Sequence, residues 1–222
     1  MNDPIQRILS LLKDSSDAEA ILVPDPHDVQ ILEQLGARDV GEGQWQIERD
    51  DRLDLAMAAV RNGAEVEQVV KVMNWKDFEG LVARVLDENG YRYAESFRRR
   101  GTDETEGMEI DVVGVKGHRV LSLDAKMWGI RAGKTSALAS AAEKQSRRTE
   151  RLKNELERIE QKIGTLEPGE YSLIPALVTW LVEDIQFHEG VPIVPIFKLN
   201  AFLLELDAFE QSMLSYKLIV RT

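Results

Sequence analysis

The sequence of 222 residues contains no cysteine and only three histidines. Without thiols the chain forms neither a disulfide nor a redox pair. A zinc site is disfavoured as well, because His27, His118 and His188 are scattered along the chain. No apolar run approaches the roughly 20 residues that a membrane-spanning helix needs, and the start of the chain lacks the basic segment of a signal peptide. These absences favour a cytoplasmic enzyme or binding protein with no membrane partner.

Positive charge is also scarce, because 28 Lys and Arg stand against 39 Asp and Glu and give a net charge of -11. This balance argues against a protein whose whole surface is basic. The excess of acid is uneven, however. Residues 1–50 hold 4 basic and 11 acidic side chains and residues 163–222 hold 3 and 8, whereas residues 92–162 hold 16 and 12. The central segment is therefore where we expect contact with a polyanion.

Acidic residues interrupt two apolar segments that both have the length and composition of a β-strand. Glu109 and Asp111 lie on the first segment, Asp124 and Lys126 lie on the second, and a tight turn around Gly117 joins them. Because side chains on a strand alternate between faces, each pair is expected to share one face. Antiparallel pairing would then bring two or three carboxylates and one ammonium together. Carboxylates this close repel unless a cation lies between them, so the pattern predicts a metal site that cleaves phosphodiesters.

The segment before these strands predicts an amphipathic helix from Trp75 to Leu86, with apolar residues at helical spacing. Glu79 lies at the edge of the apolar stripe, from where it can point along a sheet. Gly90 is expected to end the helix in a left-handed conformation, and a first strand begins at Tyr91.

In this order of elements the chain resembles the PD-(D/E)xK nuclease superfamily and, within it, the Mrr-type restriction endonucleases and the archaeal Holliday-junction resolvases. The resemblance extends from Met73 to Leu206. It rests on four stretches: Asp77-Phe78-Glu79, Glu109-Ile-Asp111-Val-Val113, Leu123-Asp-Ala-Lys126 and Glu143-Lys-Gln145. Ile110 stands where the superfamily usually has proline. The resemblance implies a restriction-endonuclease-like mixed α/β sheet flanked by helices.

The resemblance also implies a metal-dependent endonuclease that hydrolyses DNA with a metal-activated water. Mg²⁺, for which Mn²⁺ substitutes, prefers oxygen ligands, and Asp111 and Asp124 would supply them. Glu79 would bind a second ion or a metal-bound water. Lys126 would position or deprotonate the attacking water, and Gln145 would orient Lys126 or touch a phosphate. The plainer interpretation is that each of these side chains is an ordinary solvated residue at a strand end or on a helix surface.

Basic residues on both sides of the acidic strands predict contacts with DNA phosphates. They are Arg98, Arg99 and Arg100 before the strands, and Arg131, Lys134, Lys144, Arg147 and Arg148 around the following helix. The alternative is that the helix residues pair with helix acids four positions away. That alternative leaves the arginine triplet without a partner.

Two other functions are open at this point. One is a catalytically silent nucleic-acid-binding or scaffold protein with the same fold. The other is a structure-selective junction resolvase, which would need a homodimer with two sites that face opposite strands.

The pattern divides the chain into a small module (residues 1–50), a helical connector (51–72) and the nuclease-like domain (73–222). The sequence of the small module predicts two helices followed by a hairpin around Gly41–Gly43. The second helix is expected to be capped by Asp28 and ended by Gly36. This order is typical of a winged helix and would suggest DNA binding. Its net charge of -7 from the counts above argues against strong phosphate contact. A packing or protein-contact role is therefore equally open.

The C-terminal part predicts a long helix from Lys134 to Ile163, broken at most once. Its narrow apolar stripe is compatible with self-association or with docking on the sheet. Buried strands follow at 173–182 and 191–197, with Pro175, Pro192 and Pro195 at sheet edges or strand starts. A helix capped by Asn200 and a last strand at 216–220 complete the prediction.

Overall fold

The computed structural model describes residues 3–101, 107–128, 134–184 and 186–221. The chain forms two compact units, Met1–Phe78 and Glu79–Thr222. Residues 1–50 and 51–72 thus belong to the same unit. None of the helices in the described residues is both long enough and apolar enough to cross a lipid bilayer.

The first unit is mainly helical. Its elements are α1 (Pro4–Asp14), β1 (Ile21–Leu22), α2 (Pro26–Leu35), β2 (Arg38–Gly41), β3 (Gln44–Gln46), α3 (Arg49–Arg61), α4 (Val66–Val72) and the start of α5 (Trp75–Glu88). The predicted hairpin is confirmed by antiparallel pairing of β2 with β3. The strand β1, which the sequence pattern does not reveal, pairs with β3. The cap of α2 is Asp25 rather than Asp28, because the Asp25 carboxylate accepts the amide of His27 and the helix begins at Pro26.

A buried ion pair fixes the start of α5 within this unit. Arg52 and Asp77 are in direct contact, and their side chains are 8% and 2% exposed. Asp77 also accepts the amide of Asn74 at 3.1 Å, and Asn74 accepts the amide of Asp77 at 2.9 Å. These reciprocal bonds satisfy backbone donors that a helix start leaves free. Asp77 therefore caps and anchors a helix.

The second unit is a mixed α/β structure. After α5 it contains β4 (Arg92–Arg99), β5 (Met108–Lys116), β6 (Arg119–Lys126), α6 (Lys134–Leu152), α7 (Leu156–Ile163), β7 (Gly169–Thr179), β8 (Phe187–His188), β9 (Val191–Pro195), α8 (Ile196–Leu204), α9 (Leu206–Phe209) and β10 (Tyr216–Val220). The described strands are ordered β4-β5-β6-β7-β9-β8, and β10 pairs with the start of β7. The β6–β7 and β7–β9 pairs are parallel, whereas the other pairs of this sheet are antiparallel. The predicted mixed sheet flanked by helices is confirmed at this level.

Helices lie on both faces of the sheet. Val113 belongs to a core cluster with Leu152 and Ile159 of α6 and α7. The next residue, Gly114, faces α5, where a Cβ atom would come within 2.7 Å of Leu86. The apolar stripe on α6 and α7 is therefore used for docking on the sheet, which decides between the two interpretations of that stripe.

Two predictions for the C-terminal part are wrong. The strand β9 ends at Pro195 and α8 begins at Ile196, so Asn200 lies inside the helix. Pro175 lies in the middle of β7, opposite Ser122 of β6, and not at an edge. On its other side β10 pairs only up to Leu173 and β9 only from Leu177. The proline thus falls in the gap between two partner strands, where no backbone donor is needed.

The alternation of faces slips by one residue in β4 and β5. Ile110 and Val113 are three positions apart and would face opposite sides of a regular strand, yet both belong to one core cluster. Ala94 and Phe97, on the neighbouring strand, show the same slip. Between them Ser96 has a φ of 48°, in the left-handed region that a non-glycine residue rarely adopts. As a result, the alternation of faces along β5 before Asp111 is out of step with the alternation after it.

Candidate active site

Two strand acids lie side by side where β5 begins and β6 ends. The antiparallel register ends with Val112 opposite Leu123, so Asp111 and Asp124 are the next residues on the two strands. Asp111 and Asp124 are buried, with exposures of 8% and 3%. Oδ2 of Asp111 accepts the backbone amide of Ala125 at 2.8 Å, which draws its carboxylate toward β6. The structure thus brings together the two acids that strand alternation predicted on one face.

Glu79 reaches the same place from helix α5. Its side chain is buried, and its carboxyl group hydrogen-bonds Asp111. A hydrogen bond between two carboxyl groups requires that one of them holds a proton. Burial raises the pKa of Asp111, and the negative charge of Asp124 raises it further. Three acids buried this closely are a place where a cation would be stabilised.

Lys126 and Arg148 neutralise Asp124 from two sides. The ammonium of Lys126 contacts Oδ2 of Asp124, and Nη1 of Arg148 donates to Oδ1 at 3.1 Å. The Lys126 ammonium also lies 5.9 Å from the ring centre of Trp128, within the range of a cation–π contact. Lys126 is therefore held at the acids, as expected. Trp128, which the sequence analysis did not single out, carried one signal: it follows the Asp-x-Lys motif by two residues.

Gln145 fixes helix α6 to strand β6 beside the acids. It is 1% exposed, and Nε2 donates to the backbone oxygen and to Oγ of Ser122, both at 2.8 Å. Among the described residues, its buried Oε1 atom has no hydrogen-bond partner. The amide nitrogen thus binds the strand two residues before Asp124 instead of binding Lys126. Ser122 was also missed from the sequence, although a buried serine in an apolar strand was a signal.

Burial decides against the plainer interpretation for three of the side chains. Glu79, Asp124 and Gln145 are 4%, 3% and 1% exposed, so they are not solvated surface residues. Buried carboxylates are costly unless a charge or a hydrogen bond compensates them. The oxygen donors fit a hard divalent ion such as Mg²⁺. In the part of the chain that the structure describes, these three acids do not have the arrangement of a formed metal site, and no other three acidic or histidine side chains have it.

Glu109 does not join the buried acids. Contrary to expectation, Glu109 binds Arg98, its direct neighbour on β4, at 2.6 Å. Arg99 is also paired, with Glu155 at 2.9 Å, so the expectation that the arginine triplet lacks partners is wrong for two of its members. Arg100, the third member, is exposed.

A basic cleft opens beside the acids. It is lined by Arg98, Arg99, Arg100, Gly107, Met108, Glu109, Lys144, Arg148 and Arg151. Five of the predicted DNA-contacting residues therefore lie together, and Arg148 connects the cleft with Asp124. Arg147 is a surface residue of α6, 64% exposed and 3.9 Å from Glu143, which agrees with the helix-pair alternative. Arg131 and the side chain of Lys134 lie outside the described residues.

Comparisons with known proteins place the chain in a family without assigning it a function. No protein-family model matches the chain. Over 137 residues it is 33% identical to an uncharacterized protein of Archaeoglobus fulgidus, and the match covers 62% of this chain and 95% of that protein. The chain therefore belongs to the same family as this archaeal protein. Among solved structures, protein VC1899 of Vibrio cholerae matches with a TM-score of 0.37 and 14% identity, over 96% of this chain and 58% of that chain.

Proposed function

We propose that the chain is a metal-dependent endonuclease that hydrolyses DNA phosphodiester bonds, and that its second unit has a restriction-endonuclease-like fold. One observation carries the proposal: Glu79, Asp111, Asp124 and Lys126 converge from a helix and two adjacent strands. A cluster of buried acids with one lysine suits phosphodiester hydrolysis, because the acids can hold a cation and the lysine can orient the attacking water. The neighbouring basic cleft supports a polyanionic substrate.

In this proposal Asp111 and Asp124 hold a divalent ion, Mg²⁺ or Mn²⁺, and Glu79 assists them. When bound, the ion supplies positive charge to the scissile phosphate and lowers the pKa of nearby water. A cation at these carboxylates would displace any proton that they hold, so metal binding would depend on pH.

Lys126 acts on the water and on the phosphate. Its ammonium lies at Asp124 and its side chain is only 22% exposed, which limits the positions that it can take. From there the ammonium orients the attacking water and offsets the negative charge of the transition state. Gln145 holds β6 in place through Ser122, so its role is to position Asp124 and Lys126.

The basic cleft holds the DNA backbone next to this chemistry. Arg100 is exposed and Lys144 lines the same cleft, so both are available to phosphates. Such contacts neutralise the backbone without reading bases. The proposal therefore concerns binding and hydrolysis of DNA and not a particular sequence.

The experiment that tests the proposal is incubation of purified protein with supercoiled plasmid, linear duplex and branched DNA, each with Mg²⁺, Mn²⁺ or EDTA. We expect cleavage with the divalent ions and none with EDTA. The Asp124→Asn variant, prepared in parallel, controls for a contaminating nuclease and should be inactive. Preferential cutting of the branched substrate would identify a junction resolvase. A failure to cut any substrate would contradict the proposal.

One observation favours a second candidate, a silent DNA-binding protein with the same fold. Lys126 and Arg148 both form ion pairs with Asp124, and together they compensate its charge. A protein that binds DNA through the basic cleft but cuts no DNA of any topology would have this function.

A further inference from the structure

Arg148 takes part in two sites at once. Its Nη1 atom donates to Oδ1 of Asp124 at 3.1 Å, and the two side chains are 17% and 4% exposed. Arg148 also lines the basic cleft together with Arg100 and Lys144. Arg148 is thus the residue through which the cleft and the buried acids are in direct contact.

We propose that Arg148 competes with the divalent ion for Asp124, and that a DNA phosphate in the basic cleft relieves this competition. The consequence is that DNA and metal bind cooperatively, so that the metal site is completed mainly when substrate is present. This inference rests on the proposed function and adds a mode of regulation to the same site.

The competition follows from charge and from the geometry of the contact. A metal ion at Asp124 needs carboxylate lone pairs, and one oxygen already accepts a charged hydrogen bond from Arg148. A second cation at this position is also repelled by the guanidinium, and the repulsion is stronger at a buried carboxylate than in water. Removal of Arg148 should therefore strengthen metal binding when no DNA is present.

The relief by DNA follows from the chemistry of arginine. The guanidinium is a planar fork that matches two oxygens of a phosphate, whereas the contact with Asp124 is made by the single donor Nη1. A phosphate bound in the cleft offers Arg148 this second partner and leaves Asp124 to the metal ion. Because coupling between two ligands is reciprocal, metal should raise the affinity for DNA by the same factor.

Lys126 does not fill this role, because it contacts Asp124 but is not among the residues that line the cleft. Arg147 provides a matched control. It is the adjacent arginine on the same helix, but it lies 3.9 Å from Glu143 and is 64% exposed. Changes at Arg147 alter the charge of the helix without altering Asp124.

The test is direct binding of Mn²⁺ to the full chain, measured from the loss of the free-ion signal in electron paramagnetic resonance. Arg148→Gln should bind Mn²⁺ about tenfold more tightly than wild type without DNA, the effect of one charged hydrogen bond. Arg148→Lys keeps the positive charge but lacks the planar guanidinium. Its affinity for Mn²⁺ should lie between those of wild type and Arg148→Gln. Arg147→Gln should stay within about twofold of wild type, because its contact is an exposed helix pair. Thermal melts show which variants fold.

The second part of the test adds a saturating 20-base-pair duplex, with Lys126→Ala as a common background to prevent cleavage. The duplex should raise the affinity for Mn²⁺ strongly when Arg148 is present. In Arg148→Gln the factor by which the duplex raises this affinity should be about tenfold smaller, because the competing hydrogen bond is already gone. Equal or weaker Mn²⁺ affinity of Arg148→Gln without DNA would overturn the inference. In that case wild type still cuts DNA and the proposed function stands. If no variant binds Mn²⁺ and wild type cuts nothing, both fail.

Discussion

Glu79 on helix α5 hydrogen-bonds Asp111 on strand β5. The two carboxyl groups thus meet at a place from which water is largely excluded. Burial and the charge of Asp124 raise the pKa of Asp111, so its ionisation is less favourable in the folded protein than in the unfolded chain. The arrangement costs stability at neutral pH unless a cation is bound, which is typical of a site built for a ligand.

Asp111→Asn should raise the melting temperature at pH 7 in the absence of divalent ions. The pKa of Asp111 is higher in the folded than in the unfolded chain, so ionisation of Asp111 destabilises the folded protein. This penalty is absent at pH values below the pKa of the unfolded chain. The penalty develops as pH rises and is complete above the folded pKa. The rise in melting temperature caused by Asp111→Asn should therefore become smaller toward acidic pH. For a chain of this size, each kcal/mol of stability corresponds to about 2–4 °C in melting temperature. Scanning calorimetry between pH 3 and pH 8 measures it.

Added Mn²⁺ should reverse that order, because it stabilises wild type by binding its carboxylates and has little to bind in the variant. A wild type that does not respond to Mn²⁺, or a variant that is less stable than wild type at pH 7, would count against this account of Asp111.

Asp77→Ala should destabilise the protein by about 3–5 kcal/mol, because it leaves the buried charge of Arg52 without its partner. Asp77 lies next to Glu79 in the sequence but belongs to a helix cap, so cleavage per folded molecule should not change. Urea unfolding and an active-site-normalised assay measure the two quantities. Asp87→Ala, on the exposed part of α5, is the control. Loss of cleavage without loss of stability would assign Asp77 to the chemistry instead.

Arg100→Gln should weaken DNA binding and make the dependence of log affinity on log salt shallower by about one unit, the effect of one phosphate contact. Arg99→Gln should act differently, because Arg99 forms an ion pair with Glu155. The two side chains are 17% and 15% exposed. The main effect of Arg99→Gln should be a loss of stability of about 1 kcal/mol or less. Fluorescence anisotropy at several salt concentrations separates the two. Identical salt slopes for wild type and Arg100→Gln would mean that Arg100 is a solvated surface residue.

The strand period and the Asp-x-Lys spacing were enough to predict the central hairpin and the meeting of Asp111, Asp124 and Lys126. These features depend on local geometry, since alternation and one tight turn fix which side chains meet. The position of Glu79 was also predictable, because helical spacing placed it at the edge of an apolar stripe.

What could not be predicted depends on non-local packing. The slip at Ser96 has no signature in the sequence, since serine rarely adopts a positive φ. The pair of Glu109 with Arg98 depends on the register between β4 and β5. The pair of Arg99 with Glu155 joins residues that are distant in the chain. Pro175 is tolerated inside the sheet only because the two strands beside β7 leave a gap at its position.

The central claim is that Lys126 serves the chemistry of a DNA-cleaving site. The most direct measurement is the single-turnover cleavage rate of Lys126→Ala at saturating DNA, beside its DNA affinity and beside Arg147→Ala as a control. We predict that Lys126→Ala cuts roughly 10²–10⁴-fold more slowly, the usual contribution of a positioned acid–base group, with DNA affinity nearly unchanged. Arg147→Ala should cut at the wild-type rate. Cleavage by Lys126→Ala at the wild-type rate would contradict the account.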